Sequence, residues 1–257
     1  MRIVDTHAHL DATQFDQDLH PVLQRAADAG VYKIICVGTT VESSRACLEL
    51  AERFPERVHA AVGIHPNYSS EEKEADFDLL GRWIQHPGAV ALGETGLDYH
   101  HDYSPKDRQK DFFRRHIRLA LATNTPLIIH SRKADSDTLE ILRQEGERIP
   151  GVRHCFDSSA QIAAAYLELG LHVAFGGTLT RRGHKKLKTA ARSVPDERLL
   201  VETDCPYMIP RPVDVRRNEP AFITHTVEAL SDLRNRTPEK IAESTTRNAE
   251  ELFFARR

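Results

Sequence analysis

The sequence predicts an α/β fold, a single-domain TIM (β/α)8 barrel, and three observations lead to this prediction. Short apolar runs alternate with longer amphipathic stretches along the 257 residues, which is the pattern of βα units and a parallel sheet. Eight such apolar runs are present. Potential metal ligands follow several of them, including the first and the last, and only a barrel brings the ends of its first and last strands onto one ring.

The apolar runs define the predicted strands in chain order. They are Ile3–His7, Lys33–Val37, His59–Ile64, Val90–Glu94, Leu127–His130, Val152–Cys155, His172–Phe175 and Leu199–Glu202. Two helix starts are also predicted. Ser69 with Glu72 resembles a capping box for the helix that carries Trp83, and Thr237 before Pro238 is typical of an N-cap followed by proline in the first turn. No linker or low-complexity tract divides the chain, so one domain is predicted over residues 1–257.

Composition limits the class of protein. The chain has 40% hydrophobic and 28% charged residues and a net charge of -3. This charge argues against a protein held to nucleic acid by a global electrostatic field, but it allows an enzyme that handles nucleic acid locally. There is no C-x-x-C motif, no signal-peptide pattern and no apolar run long enough to span a membrane. We therefore expect a cytoplasmic protein that is not held in a membrane and has no obligate protein partner.

The residues that can carry chemistry lie at the ends of the predicted strands. His7 and His9 are two apart, so their side chains point the same way and can chelate one cation. Such a pair is a weak signal alone, because most histidines are surface or hydrogen-bonded core residues. Further candidates follow other apolar runs: His65, Glu94, His130, His154 and Asp204. Core packing explains one or two polar groups at such positions, whereas catalytic groups of a barrel come from many strand ends.

Imidazoles and carboxylates without a required thiolate predict two neighbouring divalent ions, which can be Mg²⁺, Mn²⁺ or Zn²⁺. The pairs His7 with His9 and His130 with His154 provide four imidazoles, and Glu94 is placed to bridge the ions. Two ions about 3.5–4 Å apart can hold a bridging hydroxide as the nucleophile. Asp204 can both bind a metal and accept a proton. Glu202 is expected to orient the ligands, although a buried ion pair at the strand end explains it equally well.

These residues lie in an ordered series of motifs. They are DTHAHLD (5–11), GIHP (63–66), GETGLDYH (93–100), HSRKADSDTLEIL (130–142), HCF (154–156), ETDCPYMIPRP (202–212), RRNEP (216–220) and TTRNAEELF (245–253). At these motifs the chain resembles the TatD family of metal-dependent deoxyribonucleases, within the amidohydrolase-like barrel superfamily. The resemblance covers essentially the whole chain. It departs at Thr95, where the family usually has Ile or Cys, and at residues 157–159, where the family has a glycine.

The resemblance implies a divalent-metal-dependent deoxyribonuclease that hydrolyses DNA phosphodiester bonds, with DNA as its substrate and 3′-5′ exonuclease action. It implies that His7, His9, Glu94, His130, His154 and Asp204 are the metal ligands, with Glu94 and Asp204 as the catalytic carboxylates. His65 and Arg132 are implied to bind the substrate phosphate, because a guanidinium can pair with two phosphate oxygens. An ion pair of Arg132 with Asp135 or Asp137 is the alternative interpretation.

Two other functions remain open at this level. The first is an amidohydrolase-type enzyme that opens a small amide, lactone or ester, including an aminoacyl-tRNA ester. Enzymes of that type often have a carbamylated lysine as the central bridging group, where this chain has Glu94. The second is a non-catalytic metal-dependent scaffold, which the complete set of ligand residues argues against.

Overall fold

A computed structural model of the chain describes residues 1–146 and 148–255. All eight predicted strands are present, and they form one sheet in the order β1-β2-β3-β4-β5-β6-β7-β8. The strands are β1 Ile3–Ala8, β2 Val31–Val37, β3 Val58–Val62, β4 Ala89–Asp98, β5 Leu127–Arg132, β6 Gly151–Arg153, β7 His172–Phe175 and β8 Leu199–Val201. This strand order, with helices between the strands, confirms the TIM (β/α)8 barrel fold. The single domain over residues 1–257 stays a prediction.

Helices follow the strands along the chain. They are α1 Leu19–Asp28, α2 Val41–Arg53, α3 Asp76–Trp83, α4 Lys106–Thr123, α5 Asp135–Glu145, α6 Ala160–Glu168, α7 Lys185–Ser193, α8 Ile223–Arg234 and α9 Pro238–Ala249. An amphipathic helix packs its apolar face against the sheet. In α1 this face consists of Val22, Leu23 and Ala26, which are buried. No helix among the described residues is both long and apolar enough to cross a membrane.

One predicted helix start is confirmed and the other is wrong. The Thr237 side chain accepts a hydrogen bond from the backbone N–H of Lys240, so it caps α9 as predicted. The capping box at Ser69 does not form, since the helix that carries Trp83 begins only at Asp76. The Ser69 hydroxyl instead donates to the carbonyl of Pro66 (2.9 Å), and Glu72 accepts from the backbone N–H of Val41 (2.9 Å). Glu72 therefore bonds to Val41, which is distant in sequence, and not to the nearby Ser69.

The chain divides into two compact units. Unit 1 comprises Met1–Ile35, His154–Leu167 and His172–Arg257, and unit 2 comprises Cys36–Arg153 and Glu168–Leu171. In unit 1 the end of β1 meets the segment after β8 through a parallel bridge between Ala8 and Cys205. Two backbone hydrogen bonds extend this contact, from the N–H of Asp204 to the carbonyl of His7 (2.9 Å) and from His9 to Cys205 (2.7 Å). The first and last strands are thereby joined.

In unit 2 strand β4 extends four residues beyond its predicted end, and all of its ten residues are buried. A glycine makes this extension possible. Gly96 has φ +136, and a Cβ atom there would lie 2.0 Å from the carbonyl oxygen of His130 on the paired strand β5. Only a residue without a side chain allows this approach of the two strands. The four added residues bring Asp98 next to the end of β5 that carries His130.

Helix α4 of unit 2 contains a histidine that is built into the core as a neutral group. The buried His116 donates from Nδ1 to the carbonyl of Phe112 (2.8 Å) and accepts at Nε2 from the backbone N–H of Ile64 (3.1 Å). Burial lowers the pKa of His116 to about 4. Because an unfolded histidine titrates near about 6.5, the unfolded chain binds more protons than the native state between these values.

This difference predicts an acid-dependent loss of stability. The contribution of neutral His116 is complete above about pH 6.5 and is lost as the pH falls towards 4, up to about 3 kcal/mol of unfolding free energy. Urea unfolding of wild type and His116→Gln at pH 7 and pH 4.5 checks it, since an amide does not titrate. Between pH 7 and pH 4.5 the unfolding free energy of His116→Gln should fall less than that of wild type. The unfolding free energy of the exposed control His20→Gln should fall as much as that of wild type. An unchanged pH slope in His116→Gln would show that another group causes the acid sensitivity.

Candidate metal centre

The first group of predicted ligands lies in unit 1, and we call His7, His9, His154, Glu202 and Asp204 the first cluster. His7 is fully buried at the end of β1, and His9 follows directly after the strand. Their Nε2 atoms are 3.2 Å apart, as expected for side chains two residues apart on an extended segment. The Asp204 Oδ1 atom lies 3.7 Å from His7 Nε2 and 3.5 Å from His9 Nε2. Three potential ligand atoms therefore converge on one point.

His154 and Glu202 complete the first cluster. The His154 ring stacks on the ring of His7, with centroids 4.0 Å apart and an interplanar angle of 14°. Glu202 Oε1 lies 3.5 Å from His154 Nδ1 and accepts a hydrogen bond from the backbone N–H of Cys155. No lysine or arginine among the described residues forms an ion pair with Glu202. Glu202 therefore contacts a predicted metal ligand, and both its orienting role and the alternative of a buried ion pair stay predictions.

The electrostatics of the first cluster keep Asp204 ionised. Burial acts to raise the pKa of this carboxyl, but the hydrogen bond with His9 and the nearby imidazoles of His7 and His154 lower it below its ordinary value. Asp204 has φ +54, a left-handed conformation that aspartate tolerates better than most residues. Asp204 lies three residues after the end of β8, and its carboxylate contacts the histidines there.

Asp5 supports the first cluster, and the sequence reasoning missed it. This fully buried carboxylate accepts hydrogen bonds from the backbone N–H (2.9 Å) and the hydroxyl (2.5 Å) of Thr203, and from the N–H of His7 (3.3 Å). Burial raises the pKa of Asp5 to about 7 despite the Thr203 hydrogen bonds. Asp5 thereby fastens β1 to the segment that carries Asp204. An acidic residue inside an apolar strand was the available signal.

The remaining predicted ligands lie in unit 2, and we call His65, Glu94, Asp98 and His130 the second cluster. Glu94 is buried in β4, and its Oε1 lies 2.8 Å from His130 Nδ1 and 3.6 Å from His65 Nε2. His65 lies in the loop after β3 and is held by a hydrogen bond from the N–H of Asn67 to its Nδ1. The structure thus brings a residue predicted to bind substrate against a residue predicted to bind metal.

Asp98 belongs to the second cluster although only its motif, and not the residue, was singled out in the sequence. Its Oδ2 lies 3.4 Å from His130 Nε2 and 2.9 Å from His101 Nδ1. Burial acts to raise the pKa of this carboxyl, but the adjacent imidazoles of His130 and His101 outweigh it and hold the pKa well below its usual range. The sequence pattern missed Asp98 because the predicted strand ended at Glu94, four residues too early.

Arg132 ends β5 with an exposed side chain. The alternative interpretation was an ion pair with Asp135 or Asp137. Asp137 is instead bound by Lys110 and the hydroxyl of Tyr99, each at 2.7 Å, and Asp135 accepts from the hydroxyl of Ser131 (3.0 Å). Within the described part of the chain, Arg132 forms no ion pair. Its guanidinium is exposed to solvent, which keeps the predicted role in phosphate binding open.

The donors of both clusters fit divalent cations. The potential ligand atoms of His7, His9 and Asp204 lie within 4.8 Å of one another, as do those of His7, His154 and Glu202, and those of His65, Asp98 and His130. Zinc binds nitrogen and oxygen at about 2.0–2.2 Å, so tetrahedral neighbours are about 3.4 Å apart. The separations of 3.2, 3.5 and 3.7 Å in the first cluster are close to this value. In addition, the buried Glu202 Oε2 has no hydrogen-bond partner among the described residues.

A (β/α)8 barrel with grouped imidazoles and carboxylates at the carboxyl ends of its strands belongs to the class of barrel proteins built to hold metal ions. Comparison with known proteins narrows this class. Residues 4–254 match the family described as TatD related DNase. The chain belongs to this family, which confirms the resemblance seen in the motifs.

Similar proteins cover essentially the whole chain. An uncharacterized metal-dependent hydrolase of Bacillus subtilis, YabD, is 41% identical over 252 residues, which are 98% of each chain. The 3'-5' ssDNA/RNA exonuclease TatD of Salmonella typhimurium is 34% identical over 256 residues, 97% of this chain and 98% of that protein. The crystal structure of YjjV, a TatD homologue from Escherichia coli, superposes with a TM-score of 0.92 at 32% identity and covers 98% of both chains.

Proposed function

We propose that this protein is a divalent-metal-dependent deoxyribonuclease that removes nucleotides from the 3′ end of single-stranded DNA. The observation that carries the proposal is the convergence of His7, His9 and Asp204 where β1 meets the segment after β8. Similarity to the Salmonella protein, described as a 3'-5' ssDNA/RNA exonuclease, supports the substrate class. The exposed guanidinium of Arg132 beside the second cluster supports a phosphate-bearing substrate.

In this proposal both clusters hold cations. His7, His9, His154 and Asp204 are the ligands in unit 1, and Glu94 and His130 are the ligands in unit 2. A bound divalent cation would polarise a phosphoryl oxygen and neutralise the negative charge that develops during hydrolysis. The bridging of two ions by Glu94 and the identity of the ions both remain predictions.

The chain's own residues would then supply orientation and proton transfer. Asp204 is ionised at neutral pH and accepts the proton of the attacking water at a carboxylate oxygen. Glu202 positions His154 through its 3.5 Å contact and is itself fixed by the N–H of Cys155. Arg132 pairs with the phosphate of the scissile nucleotide, for which a planar guanidinium offers two parallel hydrogen bonds.

The proposal predicts metal-dependent cleavage that a chelator stops. Purified protein should shorten a 5′-labelled single-stranded oligonucleotide stepwise from its 3′ end with Mg²⁺ or Mn²⁺. EDTA should abolish the reaction, and the added ion should restore it. The measurement is the product ladder on a denaturing gel, with metal content determined on the protein as purified. Blocking the 3′ end should stop an exonuclease and leave an endonuclease active.

The principal rival is an amidohydrolase-type enzyme for a small amide, lactone or ester. The buried Glu94 stands at the position at which such enzymes often have a lysine, and this favours the nuclease. No DNA cleavage with any divalent ion, together with robust turnover of a lactone, a dipeptide or an aminoacyl-tRNA ester, would replace the nuclease proposal by this rival.

A further inference from the structure

Side-chain hydrogen bonds fix the loop after β4 in unit 2. The buried side chain of Gln109 accepts a hydrogen bond from the N–H of Asp98 (2.9 Å) and donates to the carbonyls of Asp98 (3.1 Å) and Ser104 (2.9 Å). Within the loop, Asp98 Oδ1 accepts from the N–H groups of His100 (2.8 Å) and His101 (3.0 Å). Both ends of the loop and its first turn are therefore fixed from α4 and β4.

This rigid loop presents an aromatic side chain to solvent. Tyr103 is 69% exposed, and one face of its ring stacks on the imidazole of His101, with centroids 5.2 Å apart and an interplanar angle of 5°. His101 is anchored by Asp98, which also contacts His130 of the second cluster. The ring is thus oriented in advance and linked through two side chains to a predicted metal ligand. Its opposite face is available to a ligand.

The other exposed tyrosines have similar surroundings. Tyr68 is 38% exposed with its ring centroid 6.1 Å from His65, and Ser104 ties its loop to the loop of Tyr103 by bonding Asn67 and Ser70. In unit 1, Tyr207 is 54% exposed and lies 5.9 Å from His9. Among the described residues, Tyr68 and Tyr207 each lie beside a histidine of a cluster. Tyr103 lies beside His101, which bonds to Asp98 of the second cluster.

The chemistry around Tyr103 indicates the kind of ligand. A ring that is already held in one orientation by stacking loses little freedom when a second flat group stacks on its open face, so the arrangement suits a binding platform. Strand β5 places the exposed Arg132 opposite Asp98, the residue at which the loop begins, so a cationic side chain lies at the base of the loop. Flat apolar surface beside cationic groups matches an unpaired nucleotide, whose base stacks on aromatic rings while its phosphate pairs with Arg or Lys.

We propose that Tyr103, backed by His101, is a stacking platform for an unpaired nucleobase of the strand being degraded. This inference rests on the proposed nuclease function and deepens it, because it makes single-stranded nucleic acid with intact bases the preferred substrate. Because every base has an aromatic face, the platform tolerates any sequence. It discriminates against abasic strands and against paired ends, whose bases are not free to stack.

The test compares base-bearing with abasic substrate. Steady-state cleavage by the Mn²⁺-loaded enzyme is measured on a single-stranded oligonucleotide and on the same strand with abasic residues at its 3′ end. Wild type should prefer the base-bearing strand by about tenfold in kcat/KM. Tyr103→Leu should lose this preference through a higher KM, with kcat and abasic cleavage little changed. Tyr103→Phe, which keeps the ring, should restore most of it. The control Leu121→Ala removes an exposed apolar side chain elsewhere in unit 2 and should behave as wild type.

The outcomes separate the two proposals. An unchanged preference in Tyr103→Leu, or an equal loss on both substrates, overturns the platform and leaves the nuclease intact. An equal loss together with lower metal content would show that Tyr103 only supports the loop. Failure of wild type to cleave any nucleic acid with any divalent ion overturns the nuclease and the platform together.

Discussion

Replacing Asp204 with alanine is expected to reduce nuclease activity at least about a thousandfold, because several kcal/mol of charge stabilisation are lost. The residue combines two roles in one carboxylate. Its Oδ1 lies within 3.7 Å of the Nε2 atoms of His7 and His9, and its lowered pKa keeps it ionised at neutral pH. Without it, the imidazoles remain but the negative ligand and the proton acceptor are both absent.

The Asp204 prediction requires activity, metal content and folding to be measured together. Asp204→Ala and Asp204→Asn should both be inactive and bind less metal, while their circular dichroism stays that of wild type. The exposed Asp214, on the same loop after β8, provides a matched control, and Asp214→Ala should keep full activity. Near-normal rates in either Asp204 variant would mean that the first cluster is not the reaction site.

Glu94 is expected to give the second large effect, again about a thousandfold. This carboxylate is buried in β4 and lies 2.8 Å from His130 and 3.6 Å from His65, so it is the charged centre of the second cluster. Glu94→Gln keeps the shape and the hydrogen bond to His130, but a neutral amide is a poor ligand for a divalent cation. Activity should therefore fall without a comparable loss of stability.

The Glu94 prediction is checked by kcat/KM and by thermal unfolding in the same buffer. Glu94→Gln should be inactive with a melting temperature near that of wild type, whereas Glu94→Ala should also be inactive but less stable because it leaves a cavity in the sheet. The exposed Glu71 of unit 2 is the matched control, and Glu71→Gln should have wild-type activity. If Glu94→Gln instead cleaves DNA at a wild-type rate, the second cluster has a structural role only.

Much of the fold was readable from local patterns. The alternation of apolar runs with amphipathic stretches is a property of neighbouring residues, so all eight strands were predicted, and so was the N-cap of α9 at Thr237. The spacing of His7 and His9 was likewise enough to predict that their side chains point the same way, and their Nε2 atoms lie 3.2 Å apart. Strand ends were predicted less well, since β4 runs on to Asp98. Its length depends on the approach of Gly96 to the carbonyl of His130, which no local pattern encodes.

By itself, the sequence determined the number of strands, the strand ends that carry chemistry, the identity of the candidate ligands and the family. Only the tertiary structure decided which of these side chains meet. It brought His65 against Glu94, placed Asp98 in the second cluster and bonded Asp5 to Thr203 beneath the first. It also paired Glu72 with Val41 and not with Ser69, and left Arg132 exposed. The physical reason is the range of the interactions. Periodicity arises from the geometry of consecutive residues, whereas a carboxylate finds its partner through backbone groups and side chains supplied by distant strands.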